Sequence, residues 1–416
     1  MKFKKLAVLF AAVMALSGCS EEEAKTDMSK LPPDTPYCRN IMETENGYYY
    51  NVGMTLSLRY TEKSSGNDIF LCPKPECMHD GNDSCTATYN NLIVSEPVLY
   101  NGYIYFIGEI RTKETAGYSL YKVALDGSSL DKVTDIVEAK KPPQYGNFVC
   151  SMPSFIIHKG YAYVPYSIGH GSYIDFVESG FARVDIVTGE TEFLSRSDNW
   201  LESGQFSVYA GCGDYVFYDL YLHSSLGGES GTYVYNIETG ESKLMLEHVG
   251  DRAISCFGDD TFYYINFNEE NELILSGYGI ESLEPNDITI ETGEKSIGGP
   301  VLYYEDKLFL RGAENVKVLS KEGDLLGTVK SMGVDSDEML DGSNYYNGSI
   351  FDISDGKLYT SVTLDDWNGE SEIYCCNIDD ILNGTAEWEK AYTKHTWEEY
   401  WDEDPVMKVL QEGESE

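Results

Sequence analysis

Cys72, Cys77, His79 and Cys85 lie in the stretch "LCPKPECMHDGNDSC" (71–85), spaced C-x4-C-x-H-x5-C. Three thiolates and one imidazole form a soft donor set that suits a tetrahedral zinc ion. Four protein ligands leave no position for water or substrate, so an ion here is expected to staple a loop rather than drive a reaction. Pro73 and Pro75 stiffen the first loop of such a site, and Gly81 lets the second fold back. Disulfides within the cluster and free thiols remain alternatives for the same residues. The chain has ten cysteines, nine besides Cys19: Cys38, Cys72, Cys77, Cys85, Cys150, Cys212, Cys256, Cys375 and Cys376. An odd number cannot all pair within one chain.

Cys19 has a different chemistry. The chain opens "MKFKKLAVLFAAVMALSGCS", a basic head and a short apolar run ending in small residues before a cysteine. That order looks like a bacterial signal peptide (1–18) with a lipobox, in which the Cys19 thiol accepts a diacylglyceryl group. Two or more acyl chains give a stable membrane anchor where one does not. Residues 19–36 then read as a lipidated cysteine and a polar, proline-containing tether. The expected location is the cell membrane, lipid-anchored, on its extracytoplasmic face.

Other catalytic constellations are weak. His158, His170, His223, His248 and His395 are scattered, without a His-Glu-x-x-His pair, and His170 is expected in a loop. Ser129 to Lys132 matches S-x-x-K but falls on an expected turn rather than a helix start. The acidic stretches 335–342 and 365–370 lack the D-x-D-x-D-G spacing of a calcium loop and read as solvated turns, so calcium is not expected. The formal charge is −40, or −43 without Lys2, Lys4 and Lys5. A surface of that sign repels nucleic acid and excludes it as a partner class.

The elements that must position these residues recur. Seven segments carry a turn and then a short apolar strand: "NGYYYN" at 46, "NGYIYF" at 101, "KGYAYV" at 159, "GDYVFY" at 213, "DDTFYY" at 259, "EDKLFL" at 305 and "DGKLYT" at 355. Their fifth residues, Tyr50, Tyr105, Tyr163, Phe217, Tyr263, Phe309 and Tyr359, are all aromatic, and the fourth are mostly apolar. Adjacent apolar residues predict a strand buried on both faces. A second, alternating strand with an Asp-Gly, Thr-Gly or Glu-Gly turn follows most of them, as in "YVYNIETGESKLM" (233–245). The repeat length accommodates four short antiparallel strands. One such sheet cannot bury both faces, whereas a ring of them can. The expected fold is all-β, a single β-propeller over 37–394 with the Cys/His insert at 72–85. Seven four-stranded blades are expected, six or eight if the end segments share a blade. A stacked pair of β-sandwiches explains the short strands but not their recurrent signature.

The "NGYIYF" strand and "NIETGE" turn resemble those of bacterial secreted propellers of the lipoprotein-receptor-like and YWTD-like classes, over roughly 40–394, although no Tyr-Trp-Thr-Asp tetrad occurs. "KPEC" and "HDGNDSC" resemble an insert placed directly after the first blade in propeller lipoproteins of gut-type anaerobes. Cys212 and Cys256 precede signature strands, where a small buried thiol suits close packing. Cys375 and Cys376, adjacent on a strand, are expected to face opposite ways. The tail 395–416 is acidic and carries Trp397, Tyr400 and Trp401. The function expected is that of a monomeric binding or scaffold module for a glycan, peptide or protein partner. A propeller glycosidase or polysaccharide lyase, and an envelope sensor, are the alternatives.

Overall fold

The computed structural model describes residues 41–395 except 53–54, 78, 80–84, 93–94, 112–114, 141–147, 151–153, 171–175, 198–203, 223–229, 248–253, 298–299, 313, 333–348 and 364–369. All described residues belong to one compact unit, 33–416. The signal segment with Cys19, the tether, residues 396–416, His223, His248 and nearly all of the two acidic stretches lie outside them.

Seven antiparallel sheets follow one another along the chain, each a meander of sequence-adjacent strands. Blade 1 contains β1 (Met42–Glu43), β2 (Gly47–Val52), β3 (Thr55–Glu62) and β4 (Asp68–Phe70), in that order. β5 (Thr88–Leu92) also pairs with β3. Blades 2 to 7 span 98–140, 148–197, 205–247, 254–294, 302–330 and 349–395. Two-residue turns join first to second strands because Asn, Asp and Gly tolerate positive φ. Asn101, Gly102, Gly160, Asp355 and Gly356 all adopt it.

The blades pack by one rule. In blades 3 to 6 the aromatic third residue of the second strand buries against the next blade: Tyr163 against Val216, Phe217 against Phe262, Tyr263 against Leu308 and Phe309 against Leu358. Burying a ring or aliphatic side chain of this size contributes about 1.5–3 kcal/mol, and each interface repeats it. Blade 1 obeys the rule only after a correction. Its turn is Glu45-Asn46, not Asn46-Gly47, because Glu43 pairs with Tyr48 and Met42 with Tyr49. Tyr49, not Tyr50, therefore faces Ile104 and Phe106 of blade 2, while Tyr48 and Tyr50 face blade 7. Three consecutive tyrosines made the register ambiguous, and a one-residue slip exchanges the faces.

The ring closes where blade 7 meets blade 1. Tyr48 stacks on Tyr392 with centroids 4.8 Å apart. The Tyr359 hydroxyl donates to Glu43 Oε2 at 3.0 Å, and Lys63 Nζ lies 2.5 Å from Glu43 Oε1. Among the described residues no strand of one blade pairs with a strand of another, so this seam is held by side chains. In blade 7 the tight turn of the other blades is replaced by one short helix, α1 (Ile378–Asn383). Its Ile381 packs with Val316, Val318 and Val329 of blade 6. Among the described residues no helix is long and apolar enough to cross a membrane.

Cys212 and Cys256 are buried next to signature strands. Cys375 joins the core shared with blade 1 and Cys376 the core shared with blade 6, on opposite faces as expected. His170 was expected in a loop but ends the strand Tyr161–His170, opposite Phe148. Lys132 lies on the strand Leu130–Lys140 and pairs with Asp135 at 2.9 Å, so no S-x-x-K helix forms. His158 is buried, its Nε2 2.9 Å from the carbonyl of Gly213 in the adjoining blade.

Candidate metal centre

The Cys/His insert does not follow blade 1; it interrupts it. Arg59 to Thr61 of β3 pair with β4, and Thr55 to Ser57 pair with β5 on the same edge. Leu58, between them, holds both sides of the gap. Its carbonyl accepts from Leu71 N–H at 2.9 Å, and its N–H donates to the Ala87 carbonyl at 2.8 Å. Residues 72–86 are thus an excursion out of a single split outer strand. Leu58 is fully buried, so this neck is anchored in the core shared with blade 2.

All four expected ligands lie in that excursion, with Cys72 and Cys85 beside its neck. The three sulfurs and an imidazole nitrogen lie within 4.8 Å of one another. Cys85 Sγ is 3.6 Å from His79 Nδ1. Cys72, Cys77 and Cys85 are free thiols. Cys85 is buried and Cys72 and Cys77 are half-buried, all against the blade 1–blade 2 core. The group of residues can hold a metal ion.

Neighbours fix each donor. Cys77 N–H donates to the Lys74 carbonyl at 3.1 Å, closing the turn that brings Cys77 back toward Cys72. His79 adopts a positive φ of 54°. Its carbonyl accepts from Thr88 Oγ1 at 3.1 Å, and its ring stacks on Phe70 at 4.3 Å. Arg59 sits 4.5 Å from the Phe70 ring and 2.5 Å from Asp68. Thr86 Oγ1 donates to the Leu71 carbonyl at 3.3 Å. From blade 2, Gly127 at φ +69° presses on the neck so closely that an added Cβ would lie 2.6 Å from the Leu71 carbonyl oxygen.

The thiols are electrostatically unequal. Burial pushes the Cys72 thiol up, but hydrogen bonds from the Thr86 and Lys74 backbone outweigh it and bring Cys72 down to about 7. Burial, and then the neighbouring thiols of Cys85 and Cys72, push Cys77 up to about 11. Three thiolates this close repel one another, which a divalent cation reverses. The supporting residues Leu58, Phe70, Thr86 and Thr88 went unnoticed in the sequence. The one available signal was the strand-like "TYNNL" after Cys85, which continues the strand that stops at Phe70.

No family model matches the chain, and no curated protein matches it in sequence. Solved structures resemble it in fold. TolB from Acinetobacter baumannii is 12% identical with a TM-score of 0.33, over 65% of this chain and 58% of that one. A puromycin hydrolase is 12% identical with a TM-score of 0.47, over 89% and 55%. Sqt1 from Chaetomium thermophilum, bound to the N-terminus of ribosomal protein L10, is 12% identical with a TM-score of 0.36, over 69% and 71%. The chain spans a little over half the length of the first two.

Proposed function

We propose that this chain is an extracytoplasmic, lipid-anchored propeller that serves as a binding or scaffold module. Its ligand is a glycan, peptide or protein at the cell surface. The anchor is Cys19, supported by the basic head, apolar run and small residues ahead of it.

One observation carries the binding reading. In an antiparallel meander, the turns joining first to second and third to fourth strands lie at one end of the ring. The connections between second and third strands, and between blades, lie at the other. In blades 4 and 5 the connections of the first kind are 213–214, 237–241, 258–260 and 280–284, none longer than five residues, whereas 222–230 and 248–253 at the other end are longer. Tyr221 and Phe267 are the exposed large aromatics among the described residues, at 46% and 40%. Both end second strands, in adjacent blades, at that looped end. Asp219 accepts from the Tyr221 hydroxyl at 3.0 Å, which holds the ring in place. Exposed aromatics on the rim supply contact area, and the fixed Tyr221 hydroxyl adds a polar edge, as sugars and peptides require.

The test is to screen the full chain on glycan arrays and by crosslinking in intact envelopes, then repeat with Tyr221→Ala and Phe267→Ala. The reading expects at least one ligand to be lost in both variants while their melting curves stay those of folded protein. Binding that ignores both substitutions refutes this rim. Turnover of a polysaccharide without retention supports the glycosidase or lyase alternative. Acylation is read by metabolic labelling with palmitate, and Cys19→Ala should abolish it.

A further inference from the structure

The gap in the outer strand of blade 1 and the four donors inside it call for a common explanation. At the gap the backbone ladder is carried across by the two hydrogen bonds of Leu58, a weak point at which a sheet edge can fray. We propose that Cys72, Cys77, His79 and Cys85 bind one Zn²⁺ in a closed tetrahedral site, and that this ion clasps the 72–86 excursion to β3 and keeps the two halves of the outer strand in register.

The distances favour the ion. Zinc–sulfur and zinc–nitrogen bonds of about 2.3 and 2.0–2.1 Å at the tetrahedral angle give a sulfur–nitrogen edge of roughly 3.5 Å. Cys85 Sγ and His79 Nδ1 are 3.6 Å apart. All four donors lie within 4.8 Å of one another, at most about 1 Å beyond a sulfur–sulfur edge, a gap that half-buried Cys72 and Cys77 can close by small rotations. A disulfide needs a sulfur–sulfur bond of about 2.05 Å and consumes two of the three thiols, leaving a buried or half-buried thiol with no use for its neighbours. Calcium and magnesium prefer oxygen donors, and none is in the set.

Binding displaces the thiol protons to solvent, up to three per ion, and leaves a zinc–thiolate centre with one net negative charge. The Arg59 guanidinium, stacked on the Phe70 ring that also carries His79, moderates that charge. Thr88 fixes the His79 backbone, and Thr86 fixes the neck. Outer contacts of this kind hold ligands in bonding orientation. All four positions are protein donors, so the ion acts on the fold alone.

The experiment uses the full chain, purified in detergent with reducing agent. Elemental analysis should find about one zinc per chain, and cobalt substitution should give the visible spectrum of tetrahedral thiolate coordination. Cys77→Ser should reduce zinc retention by about tenfold or more. Chelation of the unaltered chain should speed amide exchange at Leu58 and Leu71 by about tenfold or more while Tyr215–Tyr221 keep their protection. This measurement stands even where the variant fails to fold. The proposal is overturned by the lack of stoichiometric zinc, by iron in its place, or by a disulfide among Cys72, Cys77 and Cys85 in protein never exposed to reductant. Unchanged exchange at Leu58 after zinc removal overturns the clasp.

Discussion

Tyr392→Ala is the sharpest test of how the ring shuts. Tyr392 lies on the last strand, Glu389–His395, buried against Tyr48 at 4.8 Å and Tyr50 at 5.6 Å. Truncating a buried aromatic costs about 3–5 kcal/mol. For a unit of this length the unfolding entropy makes each kcal/mol worth roughly 1.4 °C, so the midpoint should fall by about 4–7 °C. Tyr359→Phe provides a graded control. It removes the hydrogen bond to Glu43, worth about 1.5–3 kcal/mol, together with the contact to the Tyr48 hydroxyl, and leaves the Glu43–Lys63 pair in place. Its midpoint should fall by about 2–4 °C. Location discriminates better than size. Calorimetry gives the shift, and hydrogen exchange should show Gly47–Val52 and Glu389–His395 losing protection ahead of the other blades. If Tyr392→Ala leaves the midpoint unmoved, or protection fails first in blades 3 to 5, side-chain packing is not what seals the circle.

Two further outcomes follow from buried polar groups. Asp219 accepts from Tyr209, from Tyr221 at 3.0 Å and from Thr232 at 2.6 Å, so Asp219→Ala should cost about 3 kcal/mol or more in a denaturant titration, and a loss below 1 kcal/mol refutes the cluster's role. Burial raises the phenols of Tyr163, Tyr166, Tyr209, Tyr359 and Tyr392 above their usual value near 10, helped by Glu178 at Tyr166 and Asp219 at Tyr209. The unfolded chain then loses these protons first, so stability should hold up to about pH 10 and decline above it, with phenolate absorbance appearing together with unfolding; titration of these phenols in folded protein near pH 10 contradicts it.

The propeller was legible because its signals repeat. One turn-and-aromatic strand proves little, but Tyr163, Phe217, Tyr263 and Phe309 at matching offsets are difficult to place except in sheets buried on both sides. The clustering of Cys72, Cys77, His79 and Cys85 was legible too, since their close spacing in sequence keeps the four side chains within reach of one another. What stayed hidden depended on pairing rather than composition. "GYYYN" gives equal apolarity in either register, and only the Met42–Tyr49 pairing chooses between them. The insert looked like a linker between blades because its pairing partner, β3, lies upstream and bonds both its flanks through Leu58. Tyr221 and Phe267 could not be separated from the many core aromatics, because exposure depends on which strand end is the rim.

The Tyr359–Glu43 bond joins residues 316 positions apart, and it bears on how the molecule is born. A chain emerging from its N-terminus can complete six wedges one after another, yet the first wedge must wait for the last before its outer tyrosines leave water. Until Glu389–His395 arrives, two sticky flanks stay open. Truncation a few residues upstream of residue 389 should therefore yield insoluble protein rather than a shorter but serviceable ring.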